Sequence, residues 1–170
     1  RDSLIYTTKG TLLRAYGEVG LPGGSLHFYK ANFQAQRFFP LSRDTTVMVN
    51  GEFGFGNGYG GKPLPFFRNF FAGGPDTVRG YRESRLGPKD SFGNPYGGNM
   101  KVVGRAEIIE KKKKKWAASA RVSLFYDVGN VFSTGNRYRF TGLDGLTPVE
   151  YEFEYAKLKH STGLAVQWLA

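Results

Sequence analysis

Residues 121–132 read RVSLFYDVGNVF and alternate with a period of two, the spacing that sends successive side chains of a strand to opposite faces. One face collects Val122, Leu124, Tyr126, Val128 and Phe132, and the other Arg121, Ser123, Phe125, Asp127 and Gly129. One side is oily, and the other is mostly polar or small. The division recurs over 158–169, where Leu158, Thr162, Leu164, Val166 and Trp168 oppose Ser161, Gly163, Ala165 and Gln167. It recurs again over 46–55, where Val47, Val49, Phe53 and Phe55 oppose Met48, Asn50 and Glu52. Weaker versions run over 12–19, 26–39 and 100–108. The chain is predicted to be all-β, with about six antiparallel strands.

Composition points the same way. Gly (24), Phe (15) and Tyr (10) are abundant, a mixture that favours strands and tight turns over helices. No stretch approaches the roughly 18 uninterrupted apolar residues of a spanning helix, so a helical membrane protein is excluded. The 170 residues begin at Arg1, with no initiator Met and no apolar leader, and are expected to be a piece of a longer protein. A formal charge of +10 raises nucleic acid as a partner. Half of it, however, lies in the single run 111–115, KKKKK, and the remainder suits a surface or a polar lumen, so no nucleic-acid partner is expected. There is no Cys, and His27 and His160 are the only imidazoles. Neither a disulfide framework nor metal-ligand spacing is present, and no metal or cofactor is expected.

The connections are of two kinds. Residues 21–24, 40–44 and 110–115 read as short turns, whereas 58–99 and 133–149 are long. A transmembrane barrel has short turns at one end, longer loops at the other, and tilted strands of about 9–11 residues with alternating faces. The turn at 21–24 is brief where that plan puts a longer loop. A soluble β-sandwich also alternates, but it needs dense apolar packing inside and polar residues outside. Here the non-oily faces carry Arg14, Glu18, Asn32, Gln34, Glu52, Arg105, Glu107 and Asp127 opposite a strongly aromatic side, which favours the barrel.

The segment 69–88 reads NFFAGGPDTVRGYRESRLGP. It resembles the long extracellular loop of the BamA family, whose hallmark is Val-Arg-Gly-Phe/Tyr preceded by Phe-x-Ala-Gly-Gly. Here these are Val78, Arg79, Gly80 and Tyr81, preceded by the stretch from Phe70 to Gly74. The resemblance continues through GYGGKPLPFF before the loop, GPKDSFGNPYGGN and GGNMKVVGRAEI after it, then SLFYDVGNVF and GLAVQW. It covers most of the chain in order. It implies that the loop folds back into the lumen and that Arg79 anchors there against Glu107 and Asp127, with Phe125 stacked on the guanidinium. The alternation agrees, since Glu107, Asp127 and Phe125 all fall on the polar faces. A planar guanidinium offers five donors in a fixed fork, so one Arg can bridge two carboxylates and also lie on a ring. Gly73, Gly74 and Gly80 would permit backbone angles and close approaches that a Cβ forbids.

Other signals are set aside on chemical grounds. Gly56-Asn-Gly-Tyr-Gly-Gly61 satisfies G-x-G-x-x-G, but Pro63 and Pro65 follow and no helix can present its amides to a phosphate. These glycines are read as a strand end and a hinge into the long loop. His160 and Ser161 are adjacent, so on a strand they point to opposite faces and cannot act as base and nucleophile. His27 lies at a strand start without a nearby Ser and Asp set, and no enzyme activity is expected. The lysine run departs from the family pattern at that turn, and a five-residue block of like charge is normally solvated.

The resemblance implies an outer-membrane protein assembly factor that folds and inserts client barrels into the bacterial outer membrane. Residues 1–170 would be a partial barrel domain of about six strands out of about sixteen, with 58–99 the long loop carrying the motif. The first half of the barrel, the last two strands and the periplasmic domains would lie outside it. Unfolded outer-membrane proteins, outer-membrane lipid and accessory lipoproteins are the implied partners. Family members for polypeptide export or autotransporter assembly share the loop motif, and a passive porin is the reading from a different class.

Overall fold

The computed structural model describes residues 8–21, 23–24, 26–90, 92–111, 120–135, 139–141, 145–147 and 151–168. In chain order the strands are β1 (Gly10–Val19), β2 (Phe28–Pro40), β3 (Thr45–Gly58), β4 (Met100–Lys111), β5 (Ala120–Phe132), the short β6 (Arg139–Thr141) and β7 (Gly145–Thr147), and β8 (Lys159–Trp168). Six of them form one antiparallel sheet in the order β1-β2-β3-β4-β5-β8, and β6 and β7 pair separately. No helix among the described residues is long and apolar enough to cross a membrane. Sequence order is spatial order, as in an up-and-down barrel wall.

The register carries the alternation across the whole sheet. Phe33 pairs with Phe53, and Phe53 with Val102. Leu124 pairs with both Ile108 and Leu164. Leu13, Phe33, Phe53, Ile108, Leu124, Leu164 and Val166 are all exposed on this face. Among the described residues nothing covers them, and in water such a face would be costly. It is the outward apolar band of a membrane barrel, solvated by hydrocarbon. Tyr29 and Phe55, with ring centroids 6.3 Å apart, lie at the end of the sheet that carries the long loops, and Phe39 at the other.

The opposite face aligns Arg14 with Gln34, Gln34 with Glu52, Glu52 with Val103 and Val103 with Gly129. The segment formed by 59–90 and 92–99 folds back over it. That segment is zipped on itself by bridges between Phe70 and Gly98, Ala72 and Leu86, and Lys89 and Pro95. Phe70, Ala72, Val78 and Leu86 of the segment pack on Val103 of β4 and Val131 of β5, with Tyr81 beside them. The buried core therefore lies between loop and wall, not between two sheets.

Several boundaries differ from the sequence expectation. The β1–β2 connection spans 20–27 instead of 21–24. Gly20 N donates to Phe28 O at 2.8 Å, the Tyr59 hydroxyl donates to Gly20 O, and His27 stacks on Tyr59 at 5.2 Å. β3 runs on to Gly58, and Gly60 and Gly61 then turn with φ of 66° and 73°, so these glycines do end a strand. Leu158 precedes β8 instead of belonging to it. β4 continues through Lys111, and the rest of the lysine run, 112–115, lies outside the described residues. Phe132 shares the parity of the oily face yet is fully buried. There the chain after β7 returns over the strand, placing Tyr151 at 5.9 Å and Phe153 at 5.0 Å from the Phe132 ring. Asn130, also fully buried, donates to Lys157 O at 2.6 Å and to the Tyr151 hydroxyl at 3.2 Å.

Candidate functional site: an arginine seated on the barrel wall

Strand pairing assembles the receiving half of the site before any loop residue is considered. In the β4–β5 register Glu107 stands opposite Phe125 and Arg105 opposite Asp127. β8 then places Gly163 opposite Phe125 and Ser161 opposite Asp127. All six project to the loop-bearing face, and a slip of one residue would turn every one of them outward.

Into this patch the loop inserts Arg79. Its backbone N–H donates to Asp127 Oδ2 at 3.0 Å, its Nε to the same oxygen at 2.7 Å, and its Nη2 to Asp127 Oδ1 at 2.7 Å. Nη1 donates to Glu107 Oε2 at 2.8 Å. The guanidinium carbon sits 3.7 Å from the centroid of the Phe125 ring. One side chain thus grips two carboxylates in a fork and stacks on an aromatic face, a combination open to Arg and closed to Lys. Asp127 is fully buried, while the Arg79 and Glu107 side chains keep 15% and 14% of their exposure. Burial works against the Arg79 charge, but hydrogen bonds and attraction from Asp127 and Glu107 outweigh it and raise the guanidinium pKa above its ordinary value.

The flanking motif residues hold the arginine at this depth. Val78 is fully buried in the core cluster, and the Tyr81 hydroxyl donates to His160 O at 3.1 Å. Gly73, Gly74 and Gly80 have φ of 108°, 97° and 83°, where a side chain is strained. They differ in kind. A Cβ on Gly73 would lie 2.4 Å from Arg82 O, whereas the nearest atom to one on Gly80 is Ser161 Cβ at 3.8 Å. Gly73 therefore needs both angle and space, and Gly80 only the angle.

The structure brings together all four residues expected at the anchor, Arg79, Glu107, Asp127 and Phe125. It adds two that the sequence reading did not assign to it. Arg105, placed on the polar face but given no role there, donates from Nη1 to Asp76 O at 3.0 Å and from Nη2 to Pro75 O at 3.3 Å, and its Nε lies 3.7 Å from Asp127 Oδ1. Gly163 makes room for Phe125, since a Cβ there would stand 2.8 Å from the ring. A glycine inside an alternating strand is the signal that marks such a close approach. A second fastening holds the entering leg of the loop. Arg68 pairs with Glu18 of β1 at 2.9 Å, and Lys30 of β2 donates to Arg68 O at 2.8 Å and lies over the Phe70 ring at 4.1 Å.

His160 and Ser161 point to opposite faces, as neighbours on a strand must. His160 Nδ1 is 2.6 Å from the Tyr126 hydroxyl on the outer face. No cluster of three or more potential metal ligands occurs among the described residues.

The family model of the Omp85 superfamily domain matches residues 1–170. The chain is 38% identical over 184 aligned positions to the outer membrane protein assembly factor BamA of Neisseria meningitidis serogroup B, covering 99% of this chain and 23% of that protein. It is 33% identical over 105 positions to the mouse sorting and assembly machinery component 50 homolog, covering 61% of this chain and 22% of that one. The fold superposes on the crystal structure of BamA from Haemophilus ducreyi lacking POTRA domains 1–3. The TM-score is 0.82 at 24% identity, across 99% of this chain and 34% of that chain. The chain thus spans about a quarter to a third of the lengths of these relatives. With a family match from end to end and the same barrel wall, the chain belongs to the Omp85 superfamily.

Proposed function

We propose that this chain is the loop-bearing wall of a β-barrel assembly factor of the bacterial outer membrane, and that its clients are unfolded outer-membrane proteins. Relatives named as assembly factors support the reading, as does an exposed apolar face suited to lipid. The activity is physical and not covalent. Strand edges in hydrocarbon are costly because nothing there satisfies their amides. A barrel that offers its own edge to an incoming strand lowers that cost during insertion.

Within this activity the seated loop acts as a lumenal latch. The observation that carries it is the fourfold hydrogen bonding of Arg79 to Asp127 and Glu107, which ties the loop to two adjacent strands and so holds the wall in its working shape. Accessory lipoproteins and outer-membrane lipid are the further partners of the intact machine.

The test replaces the cell's copy of the full-length protein with Arg79→Ala and follows the rate at which client barrels become folded. Slower assembly with normal membrane insertion of the variant itself is expected. Unchanged rates would refute the latch. Steady solute conductance of the purified full-length protein, without client insertion, would favour a passive channel instead.

A further inference from the structure

We infer that Arg105 is a second, wall-borne arginine clamp that sets how deeply the motif turn is seated, acting on the loop backbone while Arg79 acts on the wall. The inference rests on the latch reading above and adds a positioning residue to it.

The two arginines reach across the same interface in opposite directions. Arg79 comes from the loop and ends on wall carboxylates, whereas Arg105 comes from β4 and ends on the loop carbonyls of Pro75 and Asp76. These carbonyls belong to the turn that leads into Val78 and Arg79. Within that turn Gly73 N donates to Thr77 Oγ1 at 2.8 Å and Thr77 N to Gly74 O at 3.2 Å. The turn is therefore a preformed unit, and the forked donors of Arg105 hold it at successive carbonyls. A Lys would have to reach both from one ammonium nitrogen, without the fixed spacing of the fork.

Charge balance gives Arg105 a second reason to be there. Asp127 is fully buried, and Arg79 alone would leave one of the two carboxylates, Asp127 or Glu107, without a compensating charge. The Arg105 Nε stands 3.7 Å from Asp127 Oδ1, an ion-pair distance at which it makes no hydrogen bond. The cluster of Arg79, Arg105, Glu107 and Asp127 is thereby neutral. An uncompensated buried charge is what makes such sites costly.

The test uses the full-length protein carrying Arg105→Gln or Arg105→Lys, with Arg79→Ala in parallel, and reads hydrogen exchange of loop residues 73–81 against that of β3 and β4. Loss of two charge-assisted bonds to the turn should speed exchange in 73–81 by about tenfold or more in Arg105→Gln, with the strands unchanged. Arg105→Lys restores charge without the fork, so an intermediate rate is expected. Unchanged exchange in the loop, or acceleration shared equally by the strands, overturns the inference. The two readings fail separately. If Arg79→Ala assembles clients normally but Arg105→Gln still loosens 73–81, the latch is lost and the clamp stands; the reverse pattern removes the clamp alone.

Discussion

Arg79 donates three hydrogen bonds to the single carboxylate of Asp127, one from its backbone and two from its guanidinium, but only one to Glu107. The two acids are therefore unequal. Asp127→Asn removes the charge at a fully buried position facing two arginines and should destabilise the seated loop by about 3–5 kcal/mol, the range for breaking one side of a buried pair. Glu107→Gln removes the charge from the acceptor of one bond at a partly solvated position and should cost about 1–2 kcal/mol. Denaturant unfolding of the full-length variants in detergent ranks them. Equal costs would show that the asymmetry in bonding has no energetic weight.

Phe125 and Gly163 form a second dependent pair. Gly163→Ala pushes the Phe125 ring away from the guanidinium and should forfeit the cation–π contact, worth about 0.5–2 kcal/mol. In a Phe125→Leu background the ring is absent, so the same Gly163→Ala change should have little further effect. A double-mutant cycle on unfolding free energy measures the coupling. Additive costs would mean that the glycine serves the backbone and not the ring.

The motif glycines should separate by mechanism. Gly80→Ala meets only the left-handed backbone angle and should cost about 1–2 kcal/mol. Gly73→Ala adds a collision with the Arg82 carbonyl and should cost more, enough to unseat the turn. Hydrogen exchange of the loop compared between the two variants checks the order.

Acid should loosen the turn around Asp90. Exposure to partial desolvation opposes ionisation of Asp90, but hydrogen bonds from Asn94, Phe92 and Gly93 outweigh it and hold the carboxyl below its ordinary pKa. A lowered folded-state pKa contributes order that is fully present above the ordinary carboxylate range and is lost as pH falls through the lowered value. The Phe92 and Asn94 amides, which donate to Asp90 Oδ1 at 3.0 and 2.7 Å, should lose exchange protection over that window. Asp90→Asn should abolish the pH dependence. Protection that stays constant with pH in the unsubstituted protein would contradict the assignment.

Much of this architecture was legible from residue order. Alternation in 121–132 and 46–55 identified the strands and their faces because side-chain direction in a strand depends only on parity. The anchor residues were legible too, through the resemblance around Val78 to Tyr81 and through the parity that puts Glu107, Phe125 and Asp127 on one face. Parity failed at Phe132, where a returning segment buries a residue of the lipid-facing series, because what covers a face is a long-range matter.

By itself, then, the sequence determined local quantities: strand periodicity, the polarity of each face, and the glycines where the loop must bend. Tertiary structure alone decided the contacts between loop and wall that neither parity nor the motif marks. That Arg105 grips the Pro75 and Asp76 carbonyls, and that Gly163 yields its space to Phe125, follows from strand register and loop depth. Both depend on contacts between residues far apart in the chain, whose free energies no local pattern encodes.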